Sequence, residues 1–101
     1  MIDKRKSVEI HMADIRLDPL IIASYGTCEQ QRRIEQMIES LKEQGQHKPI
    51  IVNENLTIIW SGHTRYFAAK RLKWATIDAI IMNADEWDEY IMTNNAQVHE
   101  C

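Results

Sequence analysis

The 101 residues are 45% hydrophobic with 3 Gly and 2 Pro, a composition that excludes a disordered or fibrous chain; the length is that of one domain of about 100 to 150 residues, expected to span 1–101 with residues 1–7 as a flexible terminus. A formal charge of −3 argues against strong, autonomous binding to duplex nucleic acid, which needs a basic surface. No run approaches the roughly 18 to 20 apolar residues of a membrane span, and "MIDKRKSVEIHM" lacks the apolar core of a secretory signal, so the expected location is cytoplasmic, with Cys28 and Cys101 as free thiols.

In chain order, Val8, Ile10 and Met12 alternate with Glu9 and His11, which predicts a half-buried strand. Asp18-Pro19 then signals a turn. From Thr27 to Gln44 the period changes: Ile34, Met37, Ile38 and Leu41 share one helical face, with Thr27 and Gln30 in capping-box positions and Gly45 as the C-cap. "KPIIV" (48–52) and "LTIIW" (56–60) predict two strands of a hairpin joined by the polar 53–55. Ser61 stands where it would cap a helix to about Leu72, with Phe67 or Ala68, Ala69 and Leu72 facing inward. "TIDAIIM" (76–82) is a further strand. The last helix starts near Ala84 or Asp85 and gathers Trp87, Tyr90, Ile91 and Asn94 on one face. The order β, α, β, β, α, β, α predicts a small α/β (α+β) domain with a mixed sheet and three helices.

The most constrained junction is the strand-to-helix turn in "WSGHTRYFAAKRL" (60–72). A helix start leaves backbone N–H groups unpaired at the positive end of its dipole. Gly62 lets an anion approach the backbone, Ser61 and Thr64 offer hydroxyls, and Arg65 offers a forked, charge-assisted contact with phosphate oxygens. On these residues alone two readings stand side by side: a helix cap that binds nothing, and a phosphate site. Arg65 is equally placed to pair with Asp85, Glu86 or Asp88.

"GHTRYFAAKRL" resembles the G-[E/H]-x-R-x-x-A-A-x-x-L segment of the ParB/sulfiredoxin superfamily, in particular the ParB N-terminal (ParB-like nuclease) domain. "IRLDP" resembles the family's opening I-x-x-N-P. "IEQMIESLKEQGQHKPIIV" is similar to its helix followed by S-I-x-x-x-G-x-x-x-P-I-x-V, and "TIDAIIM" to the strand after the Gly-Arg helix. The resemblance runs from about Val8 to Val98 with the segments in order. It implies a ParB/sulfiredoxin-like fold whose members bind and slowly hydrolyse CTP with magnesium, bind or hydrolyse ATP, cleave DNA, phosphorylate serine or reduce a sulfinic acid. The implied phosphate cradle is Gly62, His63, Thr64 and Arg65, approached by Asn94 and Asn95 from the last helix.

The departures from the pattern are informative. ParB proteins usually carry G-E-R-R, so His63 and Thr64 stand where a Glu and a phosphate-facing Arg are common. In the later E-N-x-x-R segment, Asn94 replaces the Glu and Val98 the Arg, which removes a carboxylate that magnesium favours. The sulfiredoxin turn is G-C-H-R, and His63 at the catalytic Cys position sets that thiolate chemistry aside. The chain stops where a ParB protein would begin its helix-turn-helix domain, so recognition of a specific DNA site is not expected from it. The G-H-x-R variant most resembles ParB-like domains of phage proteins and of proteins associated with DNA methyltransferases.

Among other candidates, His11, His47, His63 and His99 take no metal-ligand spacing, so no metal site is expected. His63 is also a candidate acid/base, and Lys48 a phosphate contact if the sheet brings it to the turn. Trp60, Trp74 and Trp87 read as core or rim residues. Three functions follow: a nucleotide-binding module with CTP or ATP and magnesium as cofactors, acting as a slow triphosphatase in DNA transactions of a phage, plasmid or DNA-modification system; a ParB-like DNA nuclease; and a protein-interaction module without a ligand. Partners implied are the nucleotide, DNA or a DNA-modifying protein, and a second copy of the chain, with no membrane.

Overall fold

Capping decides where the long second helix lies. Thr27 Oγ1 accepts the Gln30 N–H at 3.2 Å, and Gly45, at φ 75°, ends the helix with its N–H on the Leu41 carbonyl. Between them Ile34 and Leu41 are buried, with Met37 and Ile38 packed against the core. The computed structural model describes residues 7–94; the basic "DKRK" start, Asn95, His99 and Cys101 lie outside them.

The elements are β1 (Val8–His11), a single 3₁₀ turn, α1 (Pro19–Ser24), α2 (Cys28–Gln44), β2 (Ile50–Val52), β3 (Ile59–Ser61), α3 (His63–Arg71), β4 (Thr76–Ile81) and α4 (Ala84–Asn94). The sheet order is β1-β4-β2-β3, with β2 and β4 parallel and the outer pairs antiparallel. This is the mixed four-stranded α+β arrangement that the sequence predicts, with four α-helices among the described residues where three were expected. Parallel pairing of β2 with β4 requires a crossover, and α3 supplies it, lying between α2 and the sheet. That position explains why Thr64 and the run Tyr66 to Ala69 are all buried, where one inward stripe was expected.

Five local expectations need correction. The first strand ends at His11, and Met12, expected within it, opens the 3₁₀ turn. Asp18-Pro19 opens the helix α1 as well as turning the chain, because the Asp18 carboxylate accepts the Leu20 N–H at 2.8 Å and Pro19 fits a first helical position. Ser61 does not cap α3: it is the last residue of β3, paired with Ile51, and Gly62 holds the N-cap position. The hairpin strands are also shorter than predicted. Asn53 Oδ1 accepts the N–H groups of Thr57 and Ile58 at 2.8 and 2.9 Å, and its Nδ2 donates to Thr57 Oγ1 at 2.9 Å, which keeps residues 53–58 in a loop. Finally, β4 stops at Ile81, one residue early, although the Met82 N–H still bonds the Val52 carbonyl at 2.9 Å.

Two further devices set the ends of the sheet. The Gln46 side chain behaves like a strand residue beside β4, with Oε1 accepting the Asp78 N–H and Nε2 donating to the Asp78 and Lys48 carbonyls, all within 3.0 Å. At the other end Asn83 and Glu86 cap α4 reciprocally at 2.8 and 2.9 Å. Trp60 Nε1 donates to the Met82 carbonyl, and its ring stacks on Trp87, whose other neighbour is Tyr90. Trp60, Trp74 and Trp87 are all half-buried, as rim residues. No described helix is long and apolar enough to cross a membrane.

Candidate functional site

β3 delivers the chain to Gly62, which adopts the left-handed conformation at φ 100° and ψ 24°. An added Cβ there would lie 2.7 Å from Ile50 Cγ2 and 3.1 Å from Arg65 Nη1. Glycine is therefore required twice, by its torsion and by the absence of room. The same distance places the Arg65 guanidinium folded back over the turn, beside the Gly62 backbone.

α3 begins without a side-chain cap, and its first backbone bond runs from the Tyr66 N–H to the Gly62 carbonyl at 3.0 Å. On that first turn Thr64 is 5% exposed, and its Oγ1 is buried with no hydrogen-bond partner among the described residues. A buried hydroxyl left unpaired costs about 1 to 3 kcal/mol. The turn thus brings together a positive-φ glycine, a helix start without a side-chain cap, a guanidinium and a buried hydroxyl, groups that are chemically able to meet an anion.

His63 packs flat on Tyr25, with ring centroids 5.2 Å apart and planes 15° apart, and Tyr25 in turn leans on Phe67. Tyr25 comes from the turn between α1 and α2, and no periodicity marked it; its only sequence signal is an aromatic residue beside Gly26. Burial lowers the His63 pKa below its ordinary 6.5, so the imidazole is neutral near pH 7. The unfolded chain then binds a proton that the folded chain refuses. Stability is complete above about pH 6.5 and falls as pH drops through the window between the two pKa values. Melting scans from about pH 8 to pH 5 are expected to show this slope in the native chain and a flatter one in His63→Gln; identical slopes would mean that His63 titrates normally.

Register places Lys48 near the turn. Ile51 pairs with Ser61, so the start of β2 and the turn share one end of the sheet, and the exposed Lys48 stands two residues before the Ile50 side chain that underlies Gly62. The last helix is tied to β3 next to Ser61 by the Trp60–Trp87 stack. Asn94 is its final residue; its side chain, like the whole of Asn95, lies outside what is described. The turn itself thus gathers Ser61, Gly62, His63, Thr64 and Arg65, with Lys48 at the same end.

A four-stranded mixed sheet with a strand–glycine–helix turn over its end defines a small α+β module of the ParB/sulfiredoxin type. The model of the ParB N-terminal domain matches residues 2–96, and the chain belongs to that family. Solved structures agree in fold. The C-terminally truncated chromosome-partitioning protein ParB from Caulobacter crescentus, complexed with CTP-gamma-S, is 19% identical with a TM-score of 0.66, over 95% of this chain and 56% of that one. Sulfiredoxin from Arabidopsis thaliana is 27% identical with a TM-score of 0.64, over 86% and 97%. A Pnob8-like ParB-N domain is 18% identical with a TM-score of 0.63, over 99% and 42%. The chain therefore spans about half the length of these ParB structures. No curated protein sequence matches it.

Proposed function

We propose that this chain is a single-domain, nucleotide-binding ParB-like module that seats the phosphates of CTP or ATP on the turn from Ser61 to Arg65. The observation that carries the reading is the conjunction at that turn: a glycine with no room for a Cβ, a buried unpaired Thr64 hydroxyl and the Arg65 guanidinium beside the backbone. The CTP-gamma-S held by the Caulobacter ParB of like fold supports a nucleotide as the anion. Lys48 adds a cation from the same end of the sheet; Asn94 and Asn95 are the further phosphate contacts that the family resemblance implies.

Each residue has a distinct part. Gly62 allows close approach, Thr64 donates its hydroxyl hydrogen, Arg65 spans two phosphate oxygens and Ser61 contacts the rim. His63, neutral and held by Tyr25, orients the terminal phosphate and accepts a proton from an attacking water in slow hydrolysis. Among the described residues no group of three or more His, Cys, Asp or Glu gathers to hold a metal. Magnesium would therefore ride on the phosphate oxygens, which suits a cation that keeps much of its water. The setting we infer is the DNA transactions of a phage, plasmid or DNA-modification system, in the cytoplasm.

Calorimetric titration of the purified chain with CTP, ATP, GTP and UTP, with and without magnesium, tests this. We expect saturable binding of CTP or ATP, weakened at least about tenfold in Arg65→Ala. Silence from all four nucleotides with a folded protein would sink the proposal. It would favour the ligand-free interaction module, toward which the Asn94 and Val98 departures already lean.

A further inference from the structure

The phosphate turn uses only the start of α3. Further along α3, Tyr25, which also stacks on His63, joins Ile22, Ile34 and Phe67 in the apolar lining of a cleft of about 340 Å³, and the exposed Lys70 and Arg71 line it as well. Lys70 lies about 12 Å along the helix from Gly62. Arg71 Nη2 donates to Gln31 Oε1, which fixes the guanidinium at the rim, while the Lys70 ammonium reaches 5.8 Å from the Tyr66 ring centre. No carboxylate is among the described residues that line the cleft.

Beside it runs α1, whose six residues include none that is buried. Leu20 is 77% exposed, Ile21 40% and Ile22 41%. Isolated helices shorter than about 12 residues are marginal in water without a packed face, and α1 has Asp18 as its cap but no buried stripe. An aliphatic helix next to an apolar cleft lined also by two exposed cations is a surface whose counterpart is apolar and acidic.

We propose that this face docks a segment of a protein partner that carries an aliphatic or aromatic side chain flanked by Asp or Glu. The anchor fills the cleft, the carboxylate meets Lys70 and Arg71, and the rest of the segment covers Leu20 and Ile21. Nucleic acid is the poorer occupant, because two cations beside an aliphatic helix on a chain of net charge −3 offer few phosphate contacts. A small anion would leave α1 uncovered.

Selection of a displayed random dodecapeptide library on the full-length chain identifies the occupant, followed by fluorescence anisotropy with the synthetic consensus peptide. The expected consensus pairs a large apolar residue with Asp or Glu. Its binding should weaken about tenfold or more in Lys70→Glu and in Ile22→Asp, decline with rising salt, and survive Arg65→Ala, which separates it from the nucleotide site. Both substituted residues are exposed, so unchanged melting curves check the fold. No enrichment, a basic consensus, or affinity that survives both substitutions would overturn the proposal. So would a dimer, seen by light scattering, that Ile22→Asp dissociates, since that would assign the face to a second copy of the chain.

Discussion

Replacing Gly62 with alanine is expected to lower the melting temperature by about 10 °C or more and to abolish nucleotide binding in whatever protein remains folded. Two separate costs act at one atom. A non-glycine residue held in the left-handed region costs about 1 to 3 kcal/mol, and forcing a methyl into a packed interior costs a similar amount. The new Cβ would meet Ile50 Cγ2 at 2.7 Å, and Ile50 is fully buried at the start of the inner strand β2, so it has little room to retreat. The Arg65 guanidinium would have to leave as well. A double-mutant cycle distinguishes the two costs. Ile50→Ala alone should destabilise by about 2 to 5 kcal/mol, but in the Gly62→Ala background it should cost less, because the methyl it removes is the one in collision. Strict additivity would mean that the backbone torsion, not the packing, requires glycine. A Gly62→Ala chain that melts like the native one would overturn this account of the turn.

What the sequence revealed, and what it hid, follows from which interactions are local. The α2 boundaries were readable because the Thr27 cap and a C-terminal glycine each act within four residues of the chain, and because Ile34, Met37, Ile38 and Leu41 repeat with the helical period; the reciprocal half of the expected capping box is not made, since Gln30 Oε1 is buried without a hydrogen-bond partner among the described residues. The candidate turn was readable as one unit for a similar reason: its residues are consecutive from Ser61 to Arg65. Failures came where one local signal serves two structures. Asp18-Pro19 marks a turn and also fits the start of a helix, and α1 shows no periodicity because it buries no face. Ser61 is a good capping residue, yet pairing with Ile51 keeps it in the strand and passes the cap position to Gly62. Asn53 ties down five following residues through its amide, and nothing in a strand pattern announces that. Tyr25 and Lys48 reach the site only through tertiary placement. No local pattern in the sequence records the stack on His63 or the shared end of the sheet.

Thr64→Val should divide stability from binding. Valine keeps the branched shape that fits the buried pocket of Thr64 and deletes the hydroxyl, whose oxygen is desolvated without a described partner. Removing an unsatisfied buried polar group recovers part of its desolvation penalty of about 1 to 3 kcal/mol, so the ligand-free chain is expected to melt several degrees higher. The nucleotide then loses a hydrogen bond to a phosphate oxygen, and its dissociation constant should rise about tenfold or more. Thr64→Ser supplies the converse: it keeps the hydroxyl but leaves a methyl-sized void, so it should melt lower than the native chain and still bind. Melting curves and calorimetry on the two variants give four numbers that must follow this crossed pattern. A Thr64→Val chain that melts lower would mean that the hydroxyl has a structural partner and that the turn needs no anion to complete it. A chain that melts higher and binds unchanged would place the phosphates away from the first turn of α3. The crossed outcome would identify Thr64 as a group kept at a cost to stability for the ligand it contacts, the pattern expected of a binding site.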